Sequence, residues 1–247
     1  MSGAAPLWRR AVAEAVGTGL LVTVVVGSGI AASALSPSDV GLQLLENSFA
    51  TALGLAVLIL MLGPVSGAHL NPVVSAVDWW LGRRTGKGLT PRELTAYVPA
   101  QVVGAVAGAV LANLMYAKAA VSWATTDRST GHLWLGEVVA TAGLVVLIFA
   151  LGWSGRAAVA PAAVGAYIGA AYWFTSSTSF ANPAVSIGRA FSDTFAGIAP
   201  GSVPGFIVAQ LFGAVVGVGL LAVLYPDAGQ AADTIVTPHA DTTGATT

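Results

Sequence analysis

Apolar residues in this chain run in long unbroken blocks rather than marking one face of a short helix. The stretches free of Asp, Glu, Lys and Arg are 15–38, 47–77, 94–117, 138–155, 157–188 and 194–226. A helix needs roughly 20 apolar residues to cross a bilayer, so the pattern predicts six spanning helices. The stretch 138–155 is long enough only if Glu137 or Arg156 sits at its edge. The first block is too long for the apolar core of a removed signal peptide, and five more follow it.

Two blocks, 47–77 and 157–188, exceed one span, and each contains Asn-Pro: Asn71-Pro72 and Asn182-Pro183. Proline inside a helix removes a hydrogen bond and clashes with the preceding turn. Asn-Pro is a good helix start, with Asn as the cap and Pro in the first turn. Each long block therefore reads as a span, an extended stretch and a short new helix, at about 71–81 and 182–192. Broken backbone at membrane depth is tolerated only inside protein or along a wet cavity. The alternative is a pair of proline-kinked spanning helices.

Landmarks occur twice and in the same order. Glu14 matches Glu137, Asn71-Pro72-Val73 matches Asn182-Pro183-Ala184, and Gln101 matches Gln210, each with similar neighbours. Three spans per half force the halves into opposite orientations, which is an inverted repeat with its site at the midplane. One channel domain over 1–225 follows, with halves of about 8–117 and 132–225. Residues 226–247 lack periodicity and read as a disordered cytoplasmic tail. With the N-terminus inside, Arg9, Arg10, Arg83, Arg84, Lys87, Arg92 and Arg156 are cytoplasmic, against Lys118, Arg128 and Arg189 outside. That asymmetry puts both termini in the cytoplasm.

Composition sharpens the picture. The chain of 247 residues is 55% hydrophobic and 9% charged, with net charge −1 and no Cys. Too few charges are present for a soluble surface, no basic surplus exists for nucleic acid, and thiolate chemistry is excluded. His69, His132 and His239 are scattered and form no metal motif. No Ser/His/Asp spacing supports an intramembrane enzyme, and no cofactor motif appears. Two short helices entering from opposite faces would aim their positive N-termini at mid-bilayer, where the Asn amide groups could donate into a lumen. Such a site welcomes neutral hydroxyl-bearing solutes and opposes protons and cations.

Ser66-Gly67-Ala68-His69-Leu70-Asn71-Pro72-Val73 and Asn182-Pro183-Ala184 resemble the aquaporin and aquaglyceroporin family, the major intrinsic proteins, over residues 8–225. The resemblance implies an all-α membrane fold of six spanning helices and two re-entrant half-helices. It also implies a multi-pass protein of the plasma or inner membrane that forms a homotetramer with one pore per subunit. Asn71 and Asn182 would be the central donors, and the carbonyls of Gly67, Ala68, His69, Thr178, Ser179 and Phe180 would line the half-channels. Counting from each Asn, the family's selectivity filter falls on Thr51, Ala170, Ser179 and Val185. The family's usual Arg is replaced by Val185, so a wider, less polar constriction is expected. The filter resembles that of bacterial members linked to arsenic resistance. The function implied is a passive channel for glycerol-like polyols, arsenite or methylated arsenicals, and water. An orthodox water channel and an ion-coupled transporter are the alternatives.

Some residues stay open on sequence. Glu14, Glu137, Gln101 and Gln210 are expected to hold the loops, with a proton relay as the alternative for the acids. His69 lines the pore, gates it or packs. Arg189 lines the outer vestibule or pairs with Asp193, four residues on. Small-residue runs such as Gly104–Gly108 and Gly213–Gly217 read as close helix packing.

Overall fold

A computed structural model describes residues 5–83 and 85–226. Arg84, His239 and the expected tail beyond Pro226 lie outside the described residues. Among the described residues there are eight α-helices: α1 (Leu7–Leu35), α2 (Val40–Ser66), α3 (Pro72–Gly82), α4 (Pro91–Met115), α5 (Gly131–Trp153), α6 (Ala160–Phe174), α7 (Pro183–Arg189) and α8 (Val203–Leu224). Six of the helical segments are long and apolar enough to cross a membrane, and α3 and α7 are the two short ones.

Spanning helices extend past the charges that bounded the apolar blocks. Glu14 lies inside α1, Glu46 inside α2 and Glu137 inside α5. Glu14 and Glu137 are fully buried, so they serve the interior instead of marking a helix end. The second short helix is shorter than expected and stops at Arg189. Just beyond it, the carbonyls of Ala190 and Phe191 accept the amides of Ala124 and Ser122 at 3.0 and 3.1 Å. The 116–130 connection thus pairs with residues that would otherwise have continued the helix.

Helices α1 and α4 pack closely in the first half, and α5 and α8 do the same in the second. Both crossings depend on glycine. A Cβ on Gly104 or Gly108 would run into the carbonyls of Ala15 or Gly19, and one on Gly213 or Gly217 into those of Val138 or Ala142. Absence of a side chain lets the backbones touch, as small-residue packing in membranes requires. Large apolar side chains such as Phe49, Leu53 and Val57 of α2 face outward.

Candidate functional site

Each Asn-Pro starts a helix as its chemistry demands. The Asn71 side-chain oxygen accepts the Val73 amide at 2.9 Å, and that of Asn182 accepts the Ala184 amide at 3.0 Å. Pro72 and Pro183 occupy the first turns, where no amide hydrogen is needed. The backbone leading into each Asn is contorted in the same way. Gly67, Ala68 and Leu70 have φ of 90°, 47° and 50°, and Thr178, Ser179 and Ala181 have 61°, 50° and 47°. Non-glycine residues in this left-handed region cost roughly 1–3 kcal/mol each and persist only where surroundings enforce them.

The enforcing groups are the two acids. Glu14 accepts the amides of His69 (3.0 Å) and Leu70 (2.7 Å), the Ser66 hydroxyl (2.7 Å) and the Gln101 amide (2.7 Å). Glu137 accepts the amides of Phe180 and Ala181 at 2.8 Å each and the Gln210 amide at 2.6 Å. Every such bond closes an otherwise orphaned buried donor. Four serines missed from sequence complete the pattern. Ser66 and Ser177 each accept an amide two residues on, at 3.0 and 3.2 Å. Ser75 and Ser186 accept from Gln101 and Gln210 at 3.0 and 2.9 Å. Their signal was present: one Ser stands five residues before each Asn and another four after.

The two Asn residues meet at the centre. Asn71 Nδ2 donates to the Ala181 carbonyl at 2.8 Å, and Asn182 Nδ2 donates to the Leu70 carbonyl at 2.7 Å. One hydrogen of each amide is therefore spent tying the opposite loop, and one is left for the lumen.

Both Asn residues line a cavity of about 590 Å³, together with Gly67, Ala68, His69, Thr51, Ser179, Phe180, Val185 and Arg189. A second cavity of about 190 Å³ adjoins the 116–130 connection, on the side that the Lys and Arg distribution predicts to be the outer one. Thr178 lines only this smaller cavity, whereas Tyr172 and Arg189 line both and so stand at their junction.

Ala170 is corrected by this arrangement. It is exposed on the outside of α6 and lines neither cavity. Two residues on a helix are about 200° apart, so when Tyr172 faces inward Ala170 faces away. The Tyr172 hydroxyl lies 3.2 Å from the Thr51 hydroxyl.

Arg189 does not pair with Asp193. Its Nε donates to the Ala196 carbonyl, and its guanidinium lies over the Phe180 ring, 3.4 Å from the centre. Asp193 instead accepts the Thr125 amide and hydroxyl at 2.9 and 3.0 Å. Arg128, reaching in from the 116–130 connection, is 5.1 Å from the same ring centre, and burial holds its guanidinium below its ordinary pKa. The junction therefore carries a fixed positive group from a position one turn beyond Val185. His69 contacts the Ser75 hydroxyl through Nδ1 at 3.1 Å and meets the Tyr97 ring edge-on at 5.6 Å. His132 lies in the first turn of α5. Among the described residues no group of three or more His, Asp or Glu side chains is placed to hold a metal.

Comparison with known proteins adds the following. Residues 2–192 match the family described as Major intrinsic protein. Aquaglyceroporin AqpS of Rhizobium meliloti is 53% identical over 215 residues, spanning 87% of this chain and 89% of that protein. The glycerol uptake facilitator protein of Pseudomonas aeruginosa is 32% identical over 262 residues, spanning 89% and 90%. The X-ray structure of the aquaglyceroporin from Plasmodium falciparum superposes with a TM-score of 0.68 at 20% identity. That match covers 92% of this chain and all of the other, and it speaks for the fold alone.

Proposed function

This chain belongs to the major intrinsic protein family, whose members are channels and not enzymes, and we propose that it passes small neutral polyols of the glycerol class, together with arsenite, methylated arsenicals and water. The observation that carries this reading is the pair of half-capped Asn amides facing one continuous cavity. Each offers a single neutral donor, and the residue Ser179 stands on the same wall. A polyol hydroxyl can accept from these donors in turn while its carbon edge lies against Leu21, Val25 and Leu55. A cation meets the positive ends of α3 and α7 and the Arg189 guanidinium.

Val185 leaves the position of the family's filter arginine apolar, and Arg189 supplies positive charge one turn further out. The resulting filter is Thr51, Tyr172, Ser179, Val185 and Arg189, with Ala170 removed. Glu14, Glu137, Gln101 and Gln210 act as loop anchors in this reading, which leaves no acid for a proton relay. The assembly is a homotetramer in the cell membrane with both termini cytoplasmic.

Stopped-flow flux in proteoliposomes tests the reading with water, glycerol, urea and arsenite. Glycerol and arsenite flux should rise linearly with concentration and ignore proton and sodium gradients. Saturation with gradient dependence would make the protein a coupled transporter, and water flux alone would make it a water channel. An impermeant thiol reagent should fail to label a Cys placed at residue 86 in intact cells.

A further inference from the structure

We infer that the outer cavity is a binding site for a small soluble monoanion, a carboxylate or sulfonate, held between Arg128 and Arg189 and blocking solute entry while bound. Both arginines line this cavity with Thr178 and Tyr172. Arg189 is only 2% exposed. The two guanidinium carbons lie 3.4 and 5.1 Å from the Phe180 ring centre, so they are no further apart than those lengths laid end to end. Because both side chains line the same small cavity, an anion with two or three oxygens inside it can meet both forks.

Neither cation has a direct ion pair in the protein: both stack on Phe180 and both feel the Glu137 carboxylate, one negative charge against two positive ones. Arg189 spends its Nε hydrogen on the Ala196 carbonyl. Arg128 spends one on the Gly197 carbonyl at 3.1 Å and reaches the Ser177 carbonyl at 3.5 Å. Their remaining donors have no acceptor among the described residues. Nearby carboxylates are committed elsewhere: Asp193 to Thr125, Asp127 to Ser129 and Ser202, and Glu137 to the loop amides and Gln210. The ion pair of Arg10 with Glu93 lies at the opposite end. A buried Arg189 and a half-buried Arg128 that share one carboxylate keep an excess of positive charge, which is costly away from water, and an incoming anion relieves that cost for both at once.

Size and onward path limit the ligand. A space of about 190 Å³ takes a small sulfonate or carboxylate with room to spare and is a far poorer fit for a sugar acid. Beyond Tyr172 the walls are largely apolar and include Leu21, Val25 and Leu55, so an anion would lose its hydration without replacement. It stays in the outer cavity, where it competes with neutral solute.

The test replaces sodium gluconate by sodium methanesulfonate at constant ionic strength. Both anions carry one charge, methanesulfonate has no neutral form at working pH, and gluconate is much the bulkier and the poorer fit for the cavity. Two readouts are taken on the intact protein: thermal unfolding in detergent and glycerol flux in proteoliposomes. The flux arm rests on the channel reading above; the thermal arm does not, so loss of all flux would sink that reading and leave this one decidable. Wild type should show a saturable rise in Tm with methanesulfonate and a fall in glycerol flux of about two-fold or more at roughly 100 mM. Arg128→Gln should abolish both responses, and Arg128→Lys should weaken them several-fold by losing the fork. Identical behaviour in the two salts for wild type overturns the site. So does an undiminished methanesulfonate response in Arg128→Gln, or in Arg128→Lys if the Gln variant does not insert.

Discussion

In the first half Glu14 gathers the amides of His69 and Leu70; in the second, Glu137 gathers those of Phe180 and Ala181. Left-handed backbone occurs at matched positions, 67, 68 and 70 against 178, 179 and 181. The anchoring Gln and Ser residues match as well. What faces the lumen matches less well: Ala68, His69 and Leu70 stand where the other loop has Ser179, Phe180 and Ala181, although Val74 matches Val185. Outer supports differ too. The first loop is held at its start by Tyr97, whose hydroxyl donates to the Ser66 carbonyl at 2.6 Å and accepts from Arg10 at 2.9 Å. The second has Arg189 and Arg128 over its Phe180. Duplication has kept the device that holds contorted backbone and released the side chains that meet solute.

The severest way to break this comparison is to remove an acid. Glu14→Ala or Glu137→Ala orphans two buried loop amides and a Gln, and hydrogen bonds to charged groups contribute about 1.5–3 kcal/mol each. Both variants should lose several kcal/mol and most folded yield, to a similar degree, as measured by thermal unfolding in detergent. A large loss for one with none for the other would mean that the two anchors are not equivalent. Next comes the centre. Asn71→Asp and Asn182→Asp keep the helix cap but lose the NH2 donor and place a charge at mid-membrane, at about 2.5–3.5 kcal/mol. Each should cut glycerol flux roughly 100-fold, far more than Thr51→Ala. Unchanged flux and proton leak in both Asp variants would remove these residues from the pore.

How much of this was visible in the sequence follows from what each signal depends on. Span count, inverted halves and re-entrant loops were legible because Asn-Pro, Glu and Gln recur in order and charge is nearly absent between them. Acids inside helices made the apolar blocks look shorter than the helices are. Ala170 was misassigned because counting back from Asn182 passes through an irregular stretch, 175–181, before reaching α6. A one-residue change there rotates the inward face by about 100°, and α6 is apolar all round, so hydropathy could not reveal the error. Arg189 stayed open because its alternative, Asp193, was excluded only by Thr125, a residue 68 positions away.

A milder perturbation addresses the glycine crossings. Gly104→Ala sets a methyl group against the Ala15 carbonyl, and Gly213→Ala sets one against Val138. Overpacking of this kind costs about 1–3 kcal/mol. The approach is closer at Gly104 than at Gly213, so the first variant should melt lower. The reverse order would show that the α1–α4 crossing is the looser of the two.

The smallest effect, and the most informative about the lumen, concerns Val185→Arg. Val185 and Arg189 are one turn apart on the same face of α7 and both line the main cavity. A new guanidinium at 185 would meet Arg189 as a like charge. Like charges at this spacing repel by a few tenths of a kcal/mol on an exposed helix and by more where water is excluded. The new side chain would therefore turn inward, toward Ser179 and away from the Phe180 ring that Arg189 occupies. Its length narrows the lumen, and its donors suit water better than a bulky polyol. Glycerol should lose about three- to ten-fold relative to water, which corresponds to about 0.7–1.4 kcal/mol at the barrier. Stopped-flow permeabilities at matched protein per vesicle give that ratio directly. An unchanged ratio in a variant that inserts normally would mean that the constriction is set by Tyr172 and Arg189 alone, and that Val185 lies on a wall the solute does not touch.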